Sequence, residues 1–206
     1  MASKDRIQKL KDDTRCNILT ASLEIVKEEG WAALSMRKIA DKIDYTAPII
    51  YEYFGNKDAL LKELTRIGYI KLANQIEEAR DKFTNPAEQL EAMWMAYWNF
   101  AFKEKELYQI MSGIEANCCA ENACAEVQRA SNLLWDKIEE IVPADKRTEE
   151  YIDTKYYTFW SVVHGLISIN MTRQLTAGDN EQQGFKDLNK QVLKDALEGI
   201  INSISR

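Results

Sequence analysis

Between residues 14 and 29, Ile18, Leu19, Ser22, Leu23, Ile25 and Val26 recur near i, i+3, i+4 and i+7, which is the stripe of an amphipathic helix that Gly30 stops. A second helix of barely two turns begins at Leu34-Ser35, with Ser35 as N-cap and Ile39, Ala40 and Ile43 on its inner face. Thr46 stands at the N-cap of a third, Thr46 to Phe54. Pro48 falls in its first turn, where the missing N–H costs nothing, and Ile50, Phe54 and Tyr51 are its inward positions. Asn56-Lys57-Asp58 after Gly55 opens a fourth helix that runs to about Arg80. Two short helices joined by a tight turn and packed on a longer one describe a helix-turn-helix.

Beyond Asn85-Pro86 the periodicity predicts helices over 86–103, 106–116, 122–141, 148–174 and 185–203, broken by Pro143 and by the polar run Ala177-Gly178-Asp179-Asn180. No alternating strand pattern or internal repeat interrupts them. The expected fold class is therefore all-α. A three-helix head occupies residues 1–58 and a helical bundle residues 59–206, with the helix from about residue 58 joining the two.

Composition narrows this picture. With 206 residues, 46% of them hydrophobic, and only 8 Gly and 3 Pro, the chain can bury a sizeable core without disulfide or metal staples. No apolar run approaches the roughly 20 residues of a membrane span, and residues 1–13 lack an apolar signal-peptide core. A cytoplasmic protein without a membrane partner is expected. The adjacent Cys118 and Cys119 cannot readily bridge to each other, so with Cys16 and Cys124 they read as reduced thiols. The net charge of -6 is unevenly distributed: residues 1–75 carry 13 Lys+Arg against 11 Asp+Glu, net +2, and residues 76–206 carry 14 against 22, net -8. A mildly basic head on an acidic body is compatible with a small DNA-binding unit.

Catalytic chemistry finds little support. His164 is the only histidine, which excludes a His-rich metal site, and nothing around it resembles a nucleophile elbow. Carboxylate pairs of defined spacing, phosphate loops and metal motifs are missing as well, so neither an enzyme nor a cofactor is expected. Cys118, Cys119 and Cys124 with Glu115 and Glu121 suggest a thiolate sensor, but without the spacing of a zinc module, and incidental thiols are the simpler reading. Lys4, Arg6, Lys9, Lys11 and Arg15 alternate with Asp5, Asp12 and Asp13. They read as a solvated, frayed start, with phosphate contact or entry into a minor groove as the alternative.

The run from Gly30 to Leu61 carries a resemblance. Its Ile39-Ala40-Asp41-Lys42, Tyr51-Glu52-Tyr53-Phe54 and Asn56-Lys57-Asp58-Ala59-Leu60-Leu61 fall at the spacing of the amino-terminal signature of the tetracycline-repressor (TetR) family of bacterial transcriptional regulators. The later Trp160-Ser161-Val162-Val163-His164-Gly165 resembles a Trp-x-x-x-His-Gly element of some of their carboxy-terminal domains. The resemblance implies that Thr46 to Phe54 is a recognition helix. It would offer Ala47, Pro48 and Ile49 to base edges in the major groove of double-stranded DNA, through contact with thymine methyls rather than hydrogen bonds. Arg37, Tyr51, Tyr53 and Lys57 would hold phosphates, with hydroxyl contacts from Ser35 or Thr46. The family's usual Ala-Gly-Val-Ser turn is here Ile43-Asp44-Tyr45-Thr46, so Asp44 must take a conformation usually given to Gly.

For the body the resemblance implies effector binding and dimerisation. Most of its aromatic residues read as core. Trp94, Trp98, Met111, Trp135, Phe159 and Trp160 are the expected pocket walls, for a small, largely apolar or aromatic effector. His164 reads first as a packing histidine beside Gly165 and second as an effector hydrogen bond. Two stripes, Tyr156, Val163 and Ile167 in one and Leu188, Val192, Leu193, Leu197 and Ile200 in the other, serve either the monomer's core or an isologous four-helix interface. The expected protein is a one-component repressor that binds a palindromic operator as a homodimer. Effector binding then favours a DNA-incompetent state, with the helix from Asp58 as lever. The alternative is a helical small-molecule-binding or interaction protein without sequence-specific DNA binding, in which Arg37, Tyr51 and Lys57 are dispensable.

Overall fold

The computed structural model describes residues 3–113, 125–173 and 179–205. Within them every regular element is helical, in keeping with the all-α expectation. In order these are α1 Ser3–Glu29, α2 Met36–Lys42, α3 Ala47–Tyr53, α4 Lys57–Arg80, α5 Pro86–Lys103, α6 Lys105–Met111, α7 Ala125–Ile141, α8 Glu149–Arg173 and α9 Asp179–Ile204, with single 3₁₀ turns at Trp31–Ala33 and Ala144–Lys146. No described helix is long and apolar enough to cross a membrane. Cys118, Cys119, Cys124, Glu115 and Glu121 lie outside the described residues.

Two helices start earlier than their apolar periodicity suggests. α1 is helical from Ser3, so the basic start is not frayed, and residues 4–13 are exposed along it. α9 is helical from Asp179, six residues before the apolar stripe begins at Phe185. A helix needs a stripe only where it is packed; the exposed start of α1, which carries no Pro or Gly, needs only a tolerable propensity.

The chain divides into two compact units, Met1–Gly68 with Lys105–Ala123 and Tyr69–Glu104 with Cys124–Arg206. By packing, the division therefore runs through α4 rather than at its start. In the first unit Ile18, Ile25, Ile39, Ile50, Leu60 and Leu64 form a fully buried core. Short-range chemistry sets the turns around it. The Ser35 hydroxyl oxygen accepts the Lys38 N–H at 3.2 Å, and the Asn56 side-chain oxygen accepts the Ala59 N–H at 2.8 Å, capping α2 and α4. At the end of α2 the Tyr45 N–H reaches back to the Ala40 carbonyl at 2.9 Å while Asp44 sits at φ 58°, a Schellman closure with Asp in the left-handed position. α6 belongs to this unit. The Trp31 indole N–H donates to Gln109 at 3.3 Å, and Met111 crosses α4 at Gly68, where a Cβ would run into the Met111 side chain.

Arg15 ties three helices of this unit together. Its guanidinium donates to the Tyr53 carbonyl at 3.4 Å, covers the Phe54 ring at 4.4 Å and pairs with Glu63 at 3.4 Å. Arg66 first, and Arg15 second, hold the Glu63 carboxyl below its ordinary value near 4.5, against the opposing effect of burial. A depressed folded-state value stabilises the fold above the ordinary value, and that stabilisation is lost as pH falls through the folded one. Glu63→Gln is therefore expected to flatten the acid limb of the melting temperature below about pH 4.5. Parallel pH curves for the two proteins would refute this.

The second unit is a bundle in which α5 packs on α7, α8 and α9, and α8 packs on α9. Asn85 caps α5 by accepting the Ala87 and Glu88 N–H groups at 2.9 and 3.3 Å, with Pro86 in the first turn. Trp94 and Phe159 stack at 5.5 Å in its centre, and Ile138, Ile152, Val163, Ile167, Leu193 and Leu197 complete the buried layer. The two buried amides, Asn170 and Asn189, each donate to the carbonyl one turn back, so neither is left unsatisfied.

Candidate functional site

In the first unit α3 has one sealed side and one open side. Ile50 and Phe54 are buried, whereas Thr46, Pro48 and Tyr51 are on the surface, Tyr51 to 50%. Tyr51 thus points out rather than in, and the seat of the helix is Ile50 and Phe54 without it. Ala47 and Ile49 are partly covered, and the Thr46 side chain makes no cap bond. Ser35 and Arg37 are exposed at the start of α2, and Tyr53 and Lys57 are half-buried at the turn between α3 and α4.

The cations of this unit fall into two groups. Lys38 pairs with Glu29, and Lys42 with Glu28 at 3.1 Å and Glu24 at 3.4 Å. Arg15 is occupied internally, so it leaves the set of possible phosphate ligands. Arg37, Lys57, Lys4 and Lys11 make no ion pair among the described residues. At roughly 100° per residue, Lys4, Lys11 and Arg15 fall within about 40° of one another around α1, while Lys9 lies about 140° from Lys4. Lys4 and Lys11 therefore extend the stripe that, at Arg15, touches the end of α3.

In the second unit the expected pocket residues separate. Trp94, Trp98 and Phe159 are fully buried core; Trp98 packs against the Phe102 ring at 4.8 Å. The Trp94 indole N–H finds no acceptor among the described residues, a costly arrangement for a buried donor. Met111 lies in the first unit. Trp135 and Trp160, by contrast, line a cavity of about 270 Å³ between α7 and α8, together with Ser131, Asn132, Asp153, Tyr156 and Tyr157. The Trp135 indole N–H donates to Asp153 at 2.8 Å. Burial pushes the Tyr156 phenol above its ordinary value, partly offset by a hydrogen bond with Ser131. His164 stacks on Trp160 at 4.9 Å, nearly parallel, and burial holds its imidazole below its ordinary value near 6.5. Its neutral form is the one favoured at pH 7.

The stripes assigned to a subunit interface separate as well. Val163, Ile167, Leu193 and Leu197 are fully buried within the unit and fill its own core, and Tyr156 and Ile200 are half-buried. Leu188 is 60% exposed and Val192 44%, one turn apart on α9. On α8 the exposed large hydrophobics among the described residues are Tyr157 and Ile169, both outside the predicted stripe. Among the described residues no group of three His, Cys, Asp or Glu side chains is placed to hold a metal ion.

Comparison with known proteins agrees with the geometry. The family model for bacterial regulatory proteins of the tetR family matches residues 18–64, and the model for tetracyclin repressor-like C-terminal domains matches residues 90–190. The chain belongs to the TetR family. An HTH-type transcriptional regulator of Haemophilus influenzae is 26% identical over 130 residues, which is 63% of this chain and 68% of that one. The HTH-type transcriptional activator FasR of Mycolicibacterium smegmatis is 22% identical over 142 residues, 68% of this chain and 64% of FasR. A solved structure from Rhodococcus sp. RHA1 shares the fold with a TM-score of 0.75 at 18% identity, covering 93% of this chain and 95% of that one. As a TetR-family member the chain is a transcriptional regulator whose head is a DNA-binding helix-turn-helix. Sequence reasoning passed over Arg15 as a clamp and Asp153 as a cavity residue. The signal for the second was slight: one acidic residue among 33 Asp+Glu, brought to Trp135 by tertiary packing alone.

Proposed function

We propose that the chain is a homodimeric repressor that reads a two-fold operator through α3 of each subunit and leaves it when a small effector with an aromatic or apolar body enters the second unit. The observation that carries the DNA reading is the two-sidedness of α3. Its buried seat holds the helix still, while Thr46, Pro48 and Tyr51 stand on the surface beside unpaired Arg37 and Lys57. Ala47, Pro48 and Ile49 meet the bases; Ser35, Arg37, Thr46, Tyr51, Tyr53 and Lys57 meet phosphates, joined by Lys4 and Lys11 from α1. A single short helix reads few base pairs, so two heads on one two-fold axis supply the specificity. The exposed Leu188, Val192 and Ile169 support a second copy packed on α8 and α9. Release by effector is a population shift: the effector binds the DNA-incompetent state more tightly, and DNA weakens effector binding by the same factor.

The test is binding to the DNA flanking the protein's own gene, against shuffled DNA, over a salt series, with transcription from that DNA as a second readout. Specific binding is expected, with the logarithmic salt slope falling by roughly 0.9 for each lost phosphate contact, counted twice in a two-fold complex. Arg37→Ala, Lys57→Ala, Lys4→Ala and Lys11→Ala should each show that fall, and Lys9→Ala should not. Equal, weak binding to both DNAs would favour the reading as a helical ligand-binding protein without sequence-specific DNA binding. A rise in transcription on binding would make the protein an activator.

A further inference from the structure

The cavity between α7 and α8 has a composition that selects its ligand. Trp135, Tyr156, Tyr157 and Trp160 supply four aromatic rings, and Asp153 supplies the one charge among the described residues. The Asp153 carboxylate is held in place because one oxygen accepts the Trp135 indole N–H at 2.8 Å, and its other oxygen has no partner among the described residues. The cavity opens onto a shallower groove of about 730 Å³ along α8 that shares Asp153 and Tyr157 and adds Glu149 and Glu150. Among the described residues neither space is lined by a Lys, Arg or His.

Four of the cations nearest in sequence are engaged elsewhere, among them Arg147, which donates to the Val142 carbonyl at 2.9 Å. Arg129 binds Asn74 at 3.0 Å and pairs with Glu77. Lys137 reaches Gln89 at 2.7 Å and pairs with Glu140. The Lys155 ammonium lies 5.1 Å over the Tyr151 ring.

These facts discriminate among ligand classes. An anion would meet three carboxylates and no counter-charge. A neutral apolar ligand would strip water from Asp153 and give its free oxygen nothing in return, a costly burial. A cationic nitrogen satisfies both features at once, since ring faces attract cations and a desolvated site strengthens the attraction to the carboxylate. At about 270 Å³ the cavity lies just under the usual range of drug-sized sites, roughly 300–1,000 Å³, so the ligand is small.

We propose that this cavity binds a small organic cation, a protonated or quaternary amine on an aromatic or aliphatic body, with the nitrogen between Asp153 and the rings of Trp135, Tyr156 and Trp160. This names the effector class of the proposed regulator and rests on that reading only for the coupling to DNA.

The test is a calorimetric titration of the full chain with benzyltrimethylammonium, benzyl alcohol and phenylacetate, three probes with one ring and different charge. Tryptophan fluorescence is followed in parallel, since Trp135 and Trp160 form the wall. The cation is expected to bind at least about tenfold more tightly than the neutral and anionic probes, the factor that 1.4 kcal/mol represents. Asp153→Asn keeps a carbonyl oxygen for the Trp135 N–H, so the fold is retained; it should abolish the preference, weakening the cation while benzyl alcohol, no longer burying a charge, binds at least as tightly as before. Trp160→Leu, checked by its melting curve, should weaken the cation in the same way by removing a ring from the α8 wall that also carries Asp153. Equal binding of cation and alcohol, or a preference that survives Asp153→Asn, would overturn the assignment. Failure of all three probes to bind at millimolar concentration would overturn it equally. Operator affinity measured with the bound cation separates the two proposals: binding without release supports the site and refutes its role as effector site.

Discussion

Replacing Ile50 by Ala is expected to cost the first unit about 3 kcal/mol of stability, within the 2–5 kcal/mol usual for truncating a buried aliphatic side chain. Operator binding should fall with it. Ile50 is fully buried at the middle of α3, and its carbonyl accepts the Phe54 N–H at 2.9 Å, the last bond that closes the helix. With only seven residues, α3 has little intrinsic helicity and takes its rigidity from packing against α2. A cavity under Ile50 therefore lowers stability and loosens the reading surface together. Urea unfolding followed by circular dichroism gives the first quantity and operator titration the second. Ile49→Ala, half-buried on the open side, is the comparison: it should cost less stability and still weaken specific binding. An Ile50→Ala protein that loses under about 1 kcal/mol would show that α3 is held by something other than this seat.

The second large effect is expected from Leu188→Glu combined with Val192→Glu. Both side chains are largely exposed and one turn apart, so two carboxylates there leave the unit's own core intact. A dimer needs on the order of 1,200–2,000 Å² of buried surface, and two unpaired charges on each subunit at its centre are poorly tolerated. The variant should elute as a monomer that still melts cooperatively, less stable by only the roughly 0.2–0.5 kcal/mol that a like-charge pair one turn apart costs. Its operator affinity should fall by roughly 10²–10³-fold, towards the non-specific level, because each chain then reads one half-site. Leu193→Glu, one residue further along the same helix but fully buried, should instead unfold the second unit. A dimer that survives the exposed pair would place the subunit interface on another face.

The elements whose causes are local were legible in the chain. Ser35 and Asn56 cap helices with hydrogen bonds that span three residues, whereas Thr46, expected to cap α3, holds the N-cap position without a side-chain bond. The turn at Asp44 was likewise visible as the residue standing where glycine is usual, and it sits at φ 58°. Local signals mislead where a helix is exposed. Nothing in residues 3–13 forms an apolar stripe, and the start of α1 looked frayed although no Pro or Gly interrupts it.

By itself, then, the amino-acid sequence determined the helical class, the order of the elements and the helix-turn-helix, because capping, turn geometry and 3.6-residue periodicity act within one or two turns of chain. Tertiary structure alone decided which apolar side chain meets what. Val163 and Leu193 read the same as Leu188 and Val192 in the pattern, yet the first pair fills the core and the second faces outward. Met111 joins the first unit because Gly68 lets it close on α4. Asp153 becomes a cavity wall because α8 brings it to Trp135, 18 residues away. Periodicity states that a residue is on a face; only the neighbouring helices state what that face is packed against.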